Sequence, residues 1–516
     1  MMKRSMRKWL SAALVAGALT AVCALSASAE GLVISVCDGS EDAMVVDPQK
    51  SNTLEALSAD RHLYEGLYKL DEEGNLVLGQ AASEEISEDG LTVTYTLRDD
   101  ITWSDGVAVT AGDFVYAWQY LVEAAGDYSG LLDVITNAEA ADDQTLVLTL
   151  AYKCAYLPSL LAFPSAYPAR EDIVTANGDA YATDPDKAVY NGAYEMTEWV
   201  HQSTMVMTKR ADYYDADRIT VDEIDWQLMT DSSTKMASFQ SGEIIYSDGY
   251  PEEQAASLEG NGLQFVSGYM TYCAMFNLES GDDVLKDARV RKALSLAVDR
   301  DRLMSIRDLH DVIANTYTPG GLTNSEGVEF NSTVDPWFSD DYAANCEEAK
   351  ALLAEAGYEN GEGFPSLRYI VGNEDRKQIA EAIVSDWKEV LGIDSITVET
   401  TDNFFSARKS GDYDIAYFGW YMDYVDISNM LNTMTTGSND AKYSSEEYDA
   451  AFEAAISASD EAAQWEAYAE CEAILAEDVP VAPLFHADNS YLFDDANYDG
   501  LVYYCGNIFL GYLTGK

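Results

Sequence analysis

Strand and helix patterns alternate along nearly the whole chain. Leu91, Val93, Tyr95 and Leu97 are separated by Thr92, Thr94 and Thr96, the period of two expected of a strand with one face buried. Thr145–Leu150 (TLVLTL) reads as a second strand. Helical periods are as clear. Ile379, Ile383, Trp387 and Leu391 recur at every fourth position and form one apolar stripe. Glu347–Ala356 (EEAKALLAEA) follows Asn345, which can cap it, and Gly357 closes it. Asp460–Ala476 predicts a third helix with Trp465, Tyr468, Cys471 and Leu475 on its inner face. No internal repeat or low-complexity linker interrupts these patterns. Separate folding units must therefore be joined by short crossovers, with the chain passing between them more than once.

The N-terminus has a different pattern. Lys3, Arg4, Arg7 and Lys8 precede an apolar run from Trp9 to Leu25, and Ala27-Ser28-Ala29 then offers a small-x-small cleavage site. This is the layout of an export signal, with a mature chain beginning at Glu30. An uncleaved membrane anchor is the rival, but the run is short for a bilayer. A lipid-anchored Cys23 is a third reading, and Val22 does not suit it. No later apolar span is long enough to cross a membrane, so an exported chain, soluble after signal cleavage, is expected.

Length and composition narrow the class. With 516 residues, the chain is too long for one hydrophobic core and needs two or three. A hydrophobic fraction of 47% argues against disorder. Asp and Glu total 90 against 31 Lys and Arg, a net charge of −59, which excludes a nucleic-acid partner through phosphate repulsion. Solubility explains such acidity, and so does a field that attracts cationic ligands.

Searching for catalysis yields little. Four histidines are scattered as His62, His201, His310 and His486, without HExxH or His/Cys ligand spacing, and read as surface or satisfied core residues. Walker loops and GxSxG elbows are absent. Cys37, Cys154, Cys273, Cys346, Cys471 and Cys505 contain no CxxC pair; Cys346 and Cys471 fall in helical patterns as core residues. No metal, cofactor or enzymatic chemistry is expected. A secreted hydrolase acting through a carboxylate pair is the rival from another class.

Several segments, in order, carry a resemblance. They include Asp47-Pro48-Gln49-Lys50, Leu63-Tyr64-Glu65-Gly66-Leu67, the stretch Leu91–Asp113 running into Phe114-Val115-Tyr116-Ala117-Trp118, and Asn191-Gly192-Ala193-Tyr194. Ser241-Gly242-Glu243-Ile244, Asp287–Arg302, Tyr317-Thr318-Pro319-Gly320, Phe418–Tyr424 and Met430–Met434 complete the series. Together they resemble the bacterial extracellular solute-binding proteins of family 5 (peptide/nickel-binding), nearest to the oligopeptide-binding branch. The resemblance implies an α/β, periplasmic-binding-protein-like two-lobed clamshell (class II type, cluster C) with an additional inserted domain. By it, residues 30–66, 172–270 and 488–516 form a discontinuous first lobe, 67–171 the insert and 271–487 the second lobe. It further implies a monomer that captures short peptides of two to five residues and delivers them to the membrane permease subunits of an ABC importer. An oligosaccharide or metal chelate is the alternative ligand on the same fold, and an adhesin or pheromone sensor the alternative use.

A peptide buried in a cleft must have its backbone groups paired, which strand addition achieves without reading side chains. The resemblance gives this role to Gly419, Trp420 and Tyr421, with Trp420 lining a side-chain pocket. It gives Asp423 the ligand α-ammonium, because a buried ammonium without a counter-ion costs several kcal/mol. Asp426 is a second candidate anion, and Ile427 stands where relatives carry proline. For the ligand carboxylate, Tyr417 replaces an arginine of some relatives. Arg376 is then the candidate fork, with Arg307 a further one. Asn52, in the N-terminal loop, is placed to contact the ligand backbone. A disulfide reaching this segment in some relatives cannot form, because Tyr421 occupies one partner's place.

Overall fold

The computed structural model describes residues 31–39, 45–126, 128–280, 283–307, 310–458 and 460–516. The signal expected over residues 1–29 lies outside them. Among the described residues, no helix is long and apolar enough to cross a membrane.

Three larger sheets organise these residues. The first runs in the order Leu32–Val36, Val221–Gln227, Thr204–Lys209 and Tyr194–Val200, with the first pair parallel and the others antiparallel. The second is antiparallel, in the order Ala81–Ile86, Thr92–Leu97, Thr145–Leu150 and Ile135–Ala140. The alternation seen in the sequence is realised in it: Val93 pairs with Leu148 and Tyr95 with Leu146, all four buried. The Ala111–Ala124 helix buries Phe114, Ala117, Trp118 and Leu121 in the spacing of an apolar stripe.

The third sheet has seven strands. Tyr246–Ser247, Val481–Phe493, Leu263–Phe276, Ile415–Tyr421, Leu367–Val371 and Ile396–Thr400 follow in spatial order, and Val312–Ile313 pairs onto Val481–Phe493. Its centre is covered on both faces, so its strands read as continuous apolar runs. Along Leu263–Phe276, Ala274 and Phe276 enter one core with Ile383 and Trp387. Cys273 and Met275 enter the opposite core with Met430, Tyr448 and Leu475. The helix Glu374–Leu391 supplies the predicted stripe to the first of these cores, and its Trp387 Nε1 donates to the Leu294 carbonyl at 2.7 Å.

The Tyr342–Glu355 helix differs from its prediction at the start. Asp341 caps it, accepting from Ala344 N at 3.1 Å. Asn345 lies inside the helix and clamps the preceding loop through Ser339, donating to its carbonyl at 2.7 Å. Asp341 wins because an acceptor can reach a free first-turn N–H only from the cap position. The third predicted helix spans Glu461–Asp478 behind its cap Asp460. Its Glu472 is 1% exposed, and burial pushes its carboxyl pKa up. This carboxylate accepts from Tyr317 N (3.2 Å), Thr318 N (2.6 Å) and Trp337 Nε1 (2.9 Å).

The long strands Leu263–Phe276 and Val481–Phe493 pair antiparallel, with a shift of register where Ser267 faces Asp488 and Met270 faces Ala487. Tyr269 there has φ +44°, and a Cβ on Gly268 would lie 2.2 Å from the Ala487 carbonyl oxygen. This bulge coincides with both boundaries, 270/271 and 487/488, at which the sequence reading divides the lobes.

Replacing Glu472 by Ala leaves three buried donors without their acceptor, each worth about 1–3 kcal/mol. Glu472→Ala should therefore lower the urea-unfolding free energy by about 3 kcal/mol or more. A loss below about 1 kcal/mol would show that this carboxylate does not hold the Tyr317-Thr318 segment.

Candidate functional site

The strand Ile415–Tyr421 begins buried in the third sheet and ends half-buried. Ile415 through Phe418 are buried, whereas Gly419, Trp420 and Tyr421 are half-buried. On one side the strand pairs with Leu263–Phe276 along its whole length. On the other, Leu367–Val371 pairs only with Ile415 and Ala416. Among the described residues, the edge from Tyr417 to Tyr421 has no strand partner on that side. Every second residue of an antiparallel strand points its N–H and C=O away from the neighbour, so this edge offers backbone donors and acceptors to an added strand.

Gly419 is required by its cross-strand neighbour. It faces Tyr272, and a Cβ at 419 would lie 2.5 Å from that ring. The Tyr421 hydroxyl accepts from Asn489 Nδ2 at 2.8 Å. It also packs at Gly506, where an added Cβ would meet both Tyr421 and Leu54. Leu54 opens the Leu54–Leu63 helix behind its cap Thr53, which brings the exposed Asn52 to the same end of the strand.

Asp423 follows two residues beyond the strand and is half-buried. Burial raises its carboxyl pKa to about 6, against hydrogen bonds from Tyr128 and Asn429 that pull the other way. Trp420 Nε1 donates to Asn429 Oδ1 at 2.9 Å, so the Asn429 amide nitrogen is left to donate to Asp423. Among the described residues, no lysine or arginine pairs with this carboxylate. Asp426, by contrast, caps the Ile427–Asn432 helix by accepting from Ser428 N at 2.8 Å.

The opposite end of the open edge is cationic. Arg376 sits in the first turn of the Glu374–Leu391 helix, just past the end of Leu367–Val371 where that strand stops covering the edge. Its guanidinium lies 5.7 Å from the Tyr417 ring centroid and forms no ion pair among the described residues. The helix N-terminus itself is already matched, since Asn373 Oδ1 accepts from Arg376 N at 2.9 Å and Glu374 and Asp375 lie in the first turn, so the guanidinium is the group this end offers. Arg307 is differently placed: it is ion-paired with Asp311 and lies 4.6 Å from the Phe485 ring, so its charge is already matched. Tyr128, Asn429 and Asn489 were not among the sequence candidates. Asn429 stands one residue before the Met430–Met434 motif, but no local pattern marks the other two.

Three histidines match their sequence reading as surface or satisfied core residues; His486 departs from it, since its Nδ1 meets Thr271 Oγ1 at 3.0 Å but its buried Nε2 has no partner among the described residues. His201 and His310 are exposed, while His62 and His486 are buried. His62 is held neutral between the Ser58 carbonyl (2.7 Å) and Leu510 N (3.0 Å), its pKa lowered to about 4 by burial. The six cysteines among the described residues are free thiols.

The two-faced central sheet, with one strand whose end has an open edge, belongs to the fold of the periplasmic binding proteins. The chain belongs to the bacterial extracellular solute-binding proteins, family 5, whose middle-region model matches residues 75–442. It is 30% identical over 517 residues to the periplasmic oligopeptide-binding protein OppA of Salmonella typhimurium, covering 93% of each chain. The structure of Haemophilus influenzae OppA in complex with RPPGFSPFR matches with a TM-score of 0.77 at 27% identity, over 93% of this chain and 99% of that one. Listeria monocytogenes OppA bound to peptide matches with a TM-score of 0.77 at 26% identity, over 95% of this chain and 100% of that one. The members of this family are binding proteins rather than enzymes.

The raised Asp423 pKa makes stability depend on pH. A carboxyl raised in the fold contributes stability that is full below its ordinary value of 3.8 and is lost as pH rises through about 6. The urea midpoint of the ligand-free protein, compared with Asp423→Asn, should fall between pH 4 and 6.5 and stay level above. A difference independent of pH would show that Asp423 is not desolvated.

Proposed function

We propose that this protein is an exported receptor for short peptides, acting without turnover as the binding component of an ABC importer. The observation that carries this reading is the uncovered Tyr417–Tyr421 edge with Asp423 beyond one end and Arg376 at the other. An extended peptide laid on this edge has its backbone paired by strand addition, whatever its side chains. Its α-ammonium reaches Asp423 and its carboxylate reaches the Arg376 guanidinium. From residue 417 to 423, an extended chain spans on the order of 20 Å, which corresponds to a ligand of about five residues. The peptide complexes of the two OppA relatives support the ligand class.

The lobe division proposed from the sequence, with residues 30–66, 172–270 and 488–516 against 271–487 and an insert over 67–171, is supported by the bulge at Ser267–Met270 opposite Ala487–Asp488. Closure then bends two paired strands at one crowded point, and the monomer presents its closed form to the permease subunits. Tyr128, which belongs to the insert by this division, reaches Asp423 in the same network, so the end that holds the ligand ammonium also registers closure.

Blocked peptides separate the two ends. Asp423→Asn should weaken binding of a free pentapeptide 10- to 100-fold, about 1.4–2.7 kcal/mol, and should hardly change binding of its N-acetylated form. Arg376→Ala should show the same contrast between the free acid and the C-terminal amide. If calorimetry finds both forms equally affected by either substitution, the role assigned to that residue is wrong.

A further inference from the structure

A cavity of about 720 Å³ opens beside the Asp423 end of the open edge, between the second sheet and the segments around 321–323, 425–427 and 456–468. Val425 and Asp426 belong to its wall. Tyr269 does too, and its carbonyl accepts from Met422 N at 3.2 Å, which places the cavity within one or two residues of the proposed ammonium site. The volume is that of a small-molecule pocket, and the lining divides into two parts. Ile86, Leu157, Ile427, Ile456 and Trp465 give it apolar walls. Glu84, Glu88, Asp426, Asp460 and Glu461 give it five carboxylates, opposed by the single ammonium of Lys153.

Neutral donors hold several of these carboxylates in place. Glu84 accepts from the Tyr68 and Tyr95 hydroxyls at 2.9 and 2.7 Å, and Glu461 accepts from Ser325 N at 2.8 Å. Asp426 accepts from Ser428 N and, at 3.5 Å, from the Tyr468 hydroxyl. Among the described residues, none of these three forms an ion pair with lysine or arginine. Glu84 and Asp426 are half-buried and Glu461 is exposed, and all three line the cavity beside its apolar side chains. Long cationic side chains suit such a space, since their aliphatic stems pack on apolar walls while the charged head seeks anions; an arginine head can also lie over aromatic rings.

We infer that this cavity is a side-chain chamber that selects peptides carrying a lysine or arginine near their N-terminal end. The inference rests on the peptide reading above and adds to it a preference that backbone pairing cannot supply.

A set of alanine pentapeptides with one Lys, Glu or norleucine at each position in turn tests this by calorimetry. At one N-terminal-half position, Lys should bind at least tenfold tighter than norleucine, and Glu weaker than either. The readout is the ratio of Lys to norleucine affinity. It should collapse towards one in Asp426→Asn/Glu461→Gln, where Asn preserves the helix cap. If that variant does not fold, Lys153→Ala provides the opposite arm and should raise the ratio. Alanine peptides that bind with no Lys preference at any position overturn this inference alone, as does a preference that survives both variants. Spermidine that binds in place of peptide also overturns it. No binding of any peptide in the set overturns the peptide reading itself.

Discussion

The structure depends on a sheet whose strand Ile415–Tyr421 is paired on both sides at its beginning and on one side at its end. A buried peptide group without a partner costs as much as a lost hydrogen bond. Such an edge is tolerable while water reaches it and becomes costly when a closing cleft removes that water. In the reading proposed above, closure of the empty protein is therefore opposed by its own backbone, and an extended ligand that supplies the missing pairs removes the opposition. The half-buried state of Gly419, Trp420 and Tyr421, following four buried residues, places this transition at the point where the strand leaves the core.

The side chains around the edge extend the same principle to charge. Asp423 is desolvated enough to lift its pKa to about 6, with neutral donors rather than a cation beside it. Arg376 projects from a helix that begins where the neighbouring strand ends. An ion pair with an internal partner would have matched either group and left the ligand little to contribute, as the Arg307–Asp311 pair does nearby. Glu472 shows the contrasting use of a buried carboxylate: three donors are gathered on it, and it orders a segment rather than reading a ligand.

Local patterns were legible where one element decides its own burial. Thr145–Leu150 and the Ile379–Leu391 stripe appear in the structure as their periodicity predicts. The Asn345 cap failed because Asp341 offers an acceptor at the true start, and a capping side chain serves only at the position where the helix begins. Gly419, Trp420 and Asp423 were singled out only through motif resemblance, and that resemblance could not reveal why 419 must be glycine; the reason is the Tyr272 ring on another strand. Arg307 shows the same limit from the other side, since its ion pair with Asp311 is a side-chain contact that residue type alone does not announce. The early end of the Leu367–Val371 pairing, the reach of Tyr128 to Asp423 and the inward face of Glu472 are products of tertiary register. No window of local sequence contains them.

Acidity acts at two ranges in this molecule. A net charge of −59 spread over the surface is screened within about 8 Å at physiological ionic strength, so it can raise the encounter rate of cationic ligands but cannot choose among bound ones. Carboxylates inside a partly apolar cavity are screened far less, and discrimination between side chains has to be located there. A receptor that pairs ligand backbone along an open edge accepts most sequences by construction. Any preference it has must then come from groups off the edge; Glu84, Asp426 and Glu461 line the cavity there and form no ion pair with lysine or arginine among the described residues.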